Sequence, residues 1–303
     1  MTLVKFADPH VTAKGERRAV VGFGGLRTLW ANTGTLCNIT CASCYIESSP
    51  RNDRLAYLTL ADLRAALDEA AGESLEEVGF TGGEPFLNRE LPSMLALVLE
   101  RGLRAMVLTN AMKPMRNHAE ALLALRHPNL TIRVSLDHYE AALHDRERGA
   151  GSFSQSIEGL RWLAAQGFNL HVAARAAFGG EPEQALRQGF AALFAEHAIP
   201  VDAADPVSLM LFPEMDARAE VPEITEACWG ILHKSPSDVM CASSRMLVRR
   251  RGADRPAWIA CTLLPYEAEF ELGATLAEAA RPVPLNHPHC AKFCVLGGAA
   301  CSR

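Results

Sequence analysis

The sequence predicts an α/β fold in which six βα repeats form a parallel sheet, either open or curled into a partial, TIM-like (β/α)6 barrel. Short apolar runs alternate with amphipathic stretches from about Leu26 to Pro213. These runs are rich in Val, Leu and Ile and apolar nearly throughout, as expected of parallel strands buried on both faces. After Pro213 the alternation stops, and the remaining chain predicts a small cysteine-rich β-hairpin domain.

Six strands and five helices account for the repeats. The predicted strands are 26–31, 77–80, 104–110, 131–136, 170–178 and 207–212. The predicted helices are 59–72, 89–102, 118–126, 152–167 and 181–197. Right-handed crossovers bring the loops that follow parallel strands to one edge of the sheet, where reactive groups collect in such folds.

The chain divides into three predicted parts: an N-terminal extension (1–25), the barrel (26–213) and a C-terminal domain (214–303). In the C-terminal part, 226–234 predicts a short helix and 241–263 a β-hairpin around a Gly/Asp/Pro turn. The cysteine-, histidine- and glycine-rich tail should bury little apolar surface. Something other than apolar packing is therefore expected to hold it.

Composition limits the classes of partner. The 303 residues carry a net charge of -5 with a pI near 6.1, which gives no reason to expect nucleic acid or an anionic membrane surface as a main partner. No run reaches the length of a membrane span, and the N-terminus lacks the apolar core of a signal peptide. The expected location is the cytoplasm, where clustered cysteines more often bind metal than form disulfides.

Three cysteines stand close together in CNITCASCY, at Cys37, Cys41 and Cys44. A structural zinc site needs four ligands, whereas a [4Fe-4S] cluster held by three cysteines leaves one iron open to a second molecule. The pattern therefore favours an iron-sulfur cluster with chemistry at the open iron. The alternatives are a zinc knuckle completed from elsewhere and cysteines that simply lie in the core.

This triplet, with Tyr45 behind it, and the TGGEP that follows the second strand resemble the radical S-adenosylmethionine (radical SAM) superfamily, over roughly 26–212. The resemblance implies that Cys37, Cys41 and Cys44 ligate a [4Fe-4S] cluster whose open iron chelates the amino and carboxylate groups of S-adenosylmethionine. It further implies reductive cleavage of that molecule to a 5'-deoxyadenosyl radical, which abstracts hydrogen from a substrate.

The TGGEP segment provides three cofactor-binding candidates. Gly82 and Gly83 would let the backbone approach a ligand closely. Glu84 would supply the negative charge that an ammonium group seeks. The alternative is a tight turn before a helix, which is the commoner role of Gly-Gly followed by Pro.

Four more residues complete the cofactor-binding candidates. By the resemblance, Ser135 hydrogen-bonds a ribose and Arg148 pairs with the methionine carboxylate. Asn110 ends the third strand in a position similar to that of Ser135, and Tyr45 follows the triplet. The alternatives are a strand-end serine that caps a backbone group and an arginine that is solvated in a charged loop.

The remaining cysteines resemble the SPASM/twitch-like auxiliary-cluster extensions of this superfamily. The resemblance implies a second [4Fe-4S] cluster, with ligands drawn from Cys241, Cys261, Cys290, Cys294 and Cys301. The alternative is a tetrahedral zinc that uses His287 or His289. Cys228 is expected to be a small buried apolar residue, and the other possibility is a hydrogen-atom donor to a substrate radical.

The predicted function is that of a maturase-type radical SAM oxidoreductase that modifies a peptide or protein. The rival enzymatic hypothesis is modification of a small metabolite inside the barrel. A third hypothesis, from another class, is an iron-sulfur protein that only transfers electrons. The radical chemistry also implies a reducing partner such as flavodoxin or ferredoxin.

Overall fold

A sheet of mainly parallel strands forms the centre of the molecule, described here by a computed structural model over residues 4–176, 180–213 and 220–297. In chain order the strands are β1 (Val20–Val21), β2 (Thr28–Asn32), β3 (Glu77–Thr81), β4 (Arg104–Thr109), β5 (Leu130–Ser135), β6 (Asn169–Arg175), β7 (Leu209–Phe212), β8 (Ser244–Val248), β9 (Ala257–Ile259), β10 (Glu271–Gly273) and β11 (Val283–Pro284). Within these ranges nine strands form one sheet in the order β10-β9-β8-β2-β3-β4-β5-β6-β7.

Strands β2 to β7 pair in parallel in the order in which they occur along the chain. The six strands predicted from the sequence correspond to these six, and their bounds agree to within about two residues, save that the predicted fifth strand runs on past Arg175. The last two residues of that prediction, 177 and 178, lie outside the described residues. The two edges of the sheet, β10 and β7, do not pair with each other. The predicted partial barrel is therefore confirmed, and it is not closed.

The helices pack on the sheet as the crossovers of βα repeats require. In chain order they are α1 (Leu60–Glu69), α2 (Leu91–Glu100), α3 (Lys113–Arg116), α4 (Ala119–Ala124), α5 (Ala141–Arg148), α6 (Ser152–Ala165), α7 (Glu183–Glu196), α8 (Cys228–Ile231) and α9 (Leu276–Ala279). The five long predicted helices correspond to α1, α2, α4, α6 and α7. Helix α1 begins with a capping box, in which the Thr59 side chain accepts from the backbone of Asp62 and the Asp62 side chain accepts from that of Thr59.

Helix α5 corrects the sequence analysis, which expected a charged loop at this point. Its two fully covered side chains, His144 and Glu147, are polar. A helix that buries polar side chains lacks the apolar periodicity by which helices are recognised in a sequence. The segment therefore looked like a solvated loop.

The predicted C-terminal hairpin is formed by the antiparallel strands β8 and β9. Strand β8 also pairs in parallel with β2, so the hairpin continues the sheet of the barrel. At the other end of the chain, β1 pairs with β11. The proposed domain boundary adjoins residues 214–219, which lie outside the described ranges, and the division stays a prediction.

The tail buries more apolar surface than the sequence analysis expected. A π-helical turn spans Cys290–Leu296, and Ala291, Phe293 and Val295 in it are buried. The ring of Phe293 stacks on that of Phe212 at the end of β7, with 5.4 Å between centroids. The expectation that apolar packing contributes little here was wrong for these residues, because three alternate positions of the turn face the core.

In the part of the chain that the structure describes, we find no helix with both the length and the apolar character of a membrane span.

Helix α6 lies unusually close to the segment after β4. A Cβ atom on Gly159 would lie 1.9 Å from the carbonyl oxygen of Ala111. The nearby Ser156 hydroxyl donates a hydrogen bond of 2.9 Å to the carbonyl of Asn110. Only glycine at 159 allows this approach, which positions the end of β4.

We expect Gly159→Ala to destabilise the protein by about 1–3 kcal/mol, because the added methyl group forces the helix away from backbone atoms that cannot yield. Urea denaturation would measure the change. Gly72→Ala is the matched control, since a Cβ at Gly72 meets nothing within 4 Å. Equal stability of Gly159→Ala and wild type would contradict the close packing of α6.

Candidate active site

A cavity of about 190 Å³ lies at the carboxyl edge of the parallel sheet. The last residue of each of five successive strands, β3 to β7, lines it: Thr81, Thr109, Ser135, Arg175 and Phe212. The loop that contains the cysteine triplet also lines it. This is the edge at which the fold class predicts reactive groups.

The three cysteines of the triplet all line this cavity. Burial raises the pKa of the Cys37 thiol to about 12 and that of Cys41 to about 11. Both are therefore protonated in the free protein, and a metal that binds them must displace the protons. The backbone N–H of Ser48 lies 3.3 Å from Sγ of Cys44, a contact of the kind that tunes metal-bound sulfur.

The cysteine loop is held by a carboxylate on α5. The backbone N–H and the hydroxyl of Ser43 both donate to Oε1 of Glu147, at 2.8 and 2.6 Å. The backbone carbonyl of Glu147 accepts from the N–H of Ala42 at 2.8 Å. Arg175, at the end of β6, lies 3.3 Å from the same Oε1. Neither Glu147 nor Arg175 was a predicted site residue, although the charge of Arg175 inside a mostly apolar predicted strand was a usable signal.

Arg148 lines the cavity, and its guanidinium already has a partner within the protein. It donates two hydrogen bonds to Asp137, from Nε at 2.7 Å and from Nη2 at 3.0 Å. Burial raises the pKa of Asp137, but Arg148 and Arg175 outweigh this and hold it below its usual value. The alternative of a solvated arginine is wrong, since Arg148 ends a helix and only 15% of its side chain is exposed.

Gly82 and Gly83 line the cavity and also allow two segments of backbone to meet. A Cβ on Gly83 would lie 2.1 Å from the carbonyl oxygen of Leu36, just before the cysteine loop. Gly82 has a φ of +136°, and a Cβ there would lie 2.4 Å from the carbonyl oxygen of Gly34. The absence of side chains at Gly82 and Gly83 thus lets the TGGEP turn pack against the backbone that leads into the triplet.

Glu84 is buried behind the cavity lining rather than in it. Its Oε1 accepts from the hydroxyl of Thr109 at 2.8 Å and from the N–H of Phe86 at 3.2 Å, and its Oε2 accepts from the N–H of Asn110 at 2.9 Å. Burial raises the pKa of this carboxyl to about 7. The carboxylate thus joins the TGGEP turn to the end of β4, and its expected contact with an ammonium group stays a prediction.

The other cofactor-binding candidates also reach the cavity. Asn110 lines it, while its amide donates to Asn38 at 2.9 Å and accepts from the N–H of Met112 at 3.0 Å. Ser135 lines it at the end of β5, and the half-exposed Tyr45 lines it beside the triplet. The seven cofactor-binding candidates outside the triplet therefore lie in or directly behind one cavity. The contact that each of them makes with a ligand stays a prediction.

A second, smaller cavity is lined by four of the five auxiliary-cluster candidates: Cys241, Cys261, Cys290 and Cys294. Cys301 lies outside the described residues. Burial raises the pKa of the Cys241 thiol to about 11 and that of Cys290 to about 12. Leu263 lines this cavity and the first one, so the two sites are neighbours.

The histidines and Cys228 are placed differently from these four thiols. His289 lines the second cavity, and the ring of His287 lies 4.7 Å from that of His289. Among the described residues, no three His, Cys, Asp or Glu side chains converge closely enough for a single metal ion. Cys228 lines neither cavity, and its Sγ lies 3.4 Å from the backbone nitrogen of Thr225.

The geometry of the first cavity agrees with a comparison of the sequence with known families. The sequence profile of the radical SAM superfamily matches residues 31–188, which is more than half of the chain. This chain belongs to the radical SAM superfamily. Members of the superfamily use a [4Fe-4S] cluster and S-adenosylmethionine.

Curated relatives match about half of the chain. The chain is 30% identical over 138 residues to the antilisterial bacteriocin subtilosin biosynthesis protein AlbA of Bacillus subtilis, which is 45% of this chain and 30% of that protein. It is 26% identical over 164 residues to the AdoMet-dependent heme synthase of Nitratidesulfovibrio vulgaris, which is 54% of this chain and 44% of that protein. The matches thus span less than half the length of these relatives.

Among solved structures, Streptococcus suis SuiB bound to S-adenosylmethionine has the same fold. Its TM-score is 0.61 at 14% identity, and the match covers 82% of this chain and 63% of that one. The likeness reaches beyond the part matched by the family profile, into the C-terminal region. The predicted membership of the superfamily is confirmed. The likeness of fold in the C-terminal region fits the predicted SPASM/twitch-like extension.

The buried carboxyl of Glu84 should make the stability of the iron-free protein depend on pH. The pKa is 4.5 ordinarily and about 7 in the folded chain, so between these values the folded protein holds more protons than the unfolded one. Stability therefore falls as pH rises through this window, by on the order of 3 kcal/mol.

We expect Glu84→Gln to remove this part of the pH dependence, measured as the free energy of unfolding in urea at pH 5 and pH 8. Glu100→Gln, at the exposed end of α2, is the control and should keep the wild-type profile. If Glu84→Gln kept the same slope as wild type, the carboxyl would not be titrating in this window.

Proposed function

We propose that the chain is a radical SAM enzyme that holds a [4Fe-4S] cluster through Cys37, Cys41 and Cys44 and modifies a peptide substrate. The observation that carries the proposal is the shared lining of one cavity. The three thiols, the backbone of the TGGEP turn and the ends of five successive strands all face it. Three thiols in one short loop suit a cluster with one open iron, to which S-adenosylmethionine binds in this superfamily.

The chain's own residues then bind, orient and shield the reacting groups. When bound, the cluster and S-adenosylmethionine supply a 5'-deoxyadenosyl radical. The Asp137–Arg148 pair and Arg175 form a charged wall beside the triplet, suited to the charged amino-acid end of S-adenosylmethionine. Apolar side chains that include Leu108 and Phe293 line other parts of the cavity and would keep water from a radical.

We propose further that the second cavity holds an auxiliary [4Fe-4S] cluster. Four thiols line it, one for each iron, and a cluster spreads its ligands over four metal atoms rather than one. The proposed ligands are Cys241, Cys261, Cys290 and Cys294. Zinc bound in the tail is the competing outcome, and metal analysis separates the two.

A peptide is the proposed substrate class. AlbA, a relative at 30% identity, is a protein of bacteriocin biosynthesis, and SuiB, which shares the fold, has been crystallised with its precursor peptide SuiA. A small metabolite is the second candidate, because another relative is a heme synthase. Either reaction needs a low-potential electron donor, for which flavodoxin or ferredoxin is the proposed partner, and the cytoplasm is the proposed location.

Iron content tests the cluster assignments. Protein reconstituted without oxygen should bind about eight irons, four for each cluster. Replacing Cys37, Cys41 and Cys44 together by Ala should remove about half of this iron, and replacing Cys290 and Cys294 should remove the other half. Cys228→Ala is the control and should leave the iron content unchanged.

Zinc in the wild-type protein with only about four irons would contradict the auxiliary cluster. Unchanged iron in the triplet variant would contradict the S-adenosylmethionine cluster.

Turnover tests the substrate class. With dithionite and S-adenosylmethionine, the wild-type protein should form 5'-deoxyadenosine slowly, and the triplet variant should form none. Short peptides encoded next to the gene should speed the formation of 5'-deoxyadenosine, and their own mass should change. Both results are expected because the 5'-deoxyadenosyl radical becomes 5'-deoxyadenosine when it takes a hydrogen atom from the peptide. Acceleration by small metabolites such as porphyrins, with no response to any peptide, would favour the second candidate instead.

A further inference from the structure

One buried arginine beside the second cavity meets no carboxylate among the residues that the structure describes. Arg245, on β8, is 1% exposed. Its guanidinium donates to the backbone carbonyl oxygens of Ala279 at 2.9 Å, Cys241 at 2.5 Å, Ser244 at 2.7 Å and Arg281 at 3.2 Å. The carbon at the centre of the guanidinium also lies 4.0 Å from the centroid of the Phe23 ring. All of these partners are electrically neutral.

Two other arginines with little exposed surface, Arg18 and Arg148, are neutralised by acids. Arg18, also 1% exposed, lies 2.6 Å from Glu223, and Arg148 makes two hydrogen bonds to Asp137. A buried cation without a counter-charge is strongly unfavourable, even where carbonyl groups satisfy its hydrogen bonds. Arg245 therefore lacks a counter-charge among the described residues, and a negatively charged group bound to the protein could supply it.

A negatively charged group bound in the second cavity would lie close to Arg245. Cys241, whose carbonyl oxygen accepts from Arg245, lines that cavity with its side chain. Apart from the four thiols and His289, the lining consists of apolar side chains such as Met240 and Phe270. A [4Fe-4S] cluster with four thiolates is a net anion, and reduction makes it more negative by one electron.

We propose that Arg245 is the counter-charge of the auxiliary cluster and raises its reduction potential; the inference rests on the proposed binding of that cluster by the four thiols. The hydrogen bonds of its guanidinium to the carbonyls of Cys241 and Ser244 fix it at the start of β8, next to the first ligand. Arg245 is thus a positioning and tuning residue that does not itself touch the substrate.

A redox titration followed by electron paramagnetic resonance tests the proposal on the reconstituted full-length protein. The auxiliary cluster is identified as the one whose signal does not change when S-adenosylmethionine is added. Arg245→Gln keeps hydrogen-bond donors but removes the charge, so reduction of this cluster should become at least tenfold less favourable, a drop of about 59 mV for one electron. Arg245→Lys keeps the charge and should stay near the wild-type potential.

Arg281→Gln is the matched control: it removes a nearby but exposed positive charge, and the potential should hardly move. Equal potentials in the Gln and Lys variants would overturn the proposal and leave Arg245 a purely structural donor. If Gln yields no auxiliary cluster but Lys does, charge is the requirement and the proposal stands. If both variants lose the auxiliary cluster while the triplet keeps its iron, the cluster needs the hydrogen bonds of the guanidinium to the backbone carbonyls and not the positive charge alone. That result would overturn the proposal.

Failure of the proposed function looks different from either result. In that case the wild-type protein itself would carry only about four irons, all of them lost in the triplet variant. No variant would then show the signal of a second cluster in the redox titration, and the proposed role of Arg245 would fall together with the auxiliary cluster.

Discussion

The position of the cysteine loop depends on one buried carboxylate, that of Glu147. The loop has no regular secondary structure around the triplet, so its backbone groups need partners from elsewhere in the molecule. Glu147 accepts two hydrogen bonds from Ser43, while its own backbone carbonyl accepts one from Ala42. Arg175 joins the same carboxylate to β6. Helix α5 thus anchors the middle of the loop to the sheet.

The barrel could be predicted from the sequence because its strands are mostly buried on both faces and therefore mostly apolar. The contacts of the site could not, because they join residues that are far apart in sequence and near in space. The pairing of Arg148 with Asp137 depends on α5, whose buried face is polar and leaves no helical pattern. The location of the TGGEP motif was predictable, whereas the inward turn of Glu84 toward Thr109 was not.

The second site shows the same division. Spacing alone left five cysteines as equal candidates for the auxiliary ligands. The fold brings four of them to one cavity, because the hairpin supplies Cys241 and Cys261 from its two ends while the π-helical turn supplies Cys290 and Cys294. The turn is itself held by apolar packing of Phe293 against Phe212, which the composition of the tail concealed. Leu263 then places this cavity directly beside the first.

The parallel pairing of β8 with β2 has a consequence for how the chain folds. Residue 28 of the first barrel strand is paired with residue 244, so β2 gains its second neighbour only after all the other barrel strands have been made. Until then one side of β2, whose five residues are all buried in the folded chain, is an open edge that can pair with another chain and aggregate. Contacts between such distant segments also form slowly. A chain shortened before the hairpin would keep that edge exposed permanently. The C-terminal hairpin therefore protects the edge of the barrel sheet at β2, in addition to contributing cysteines to the second cavity.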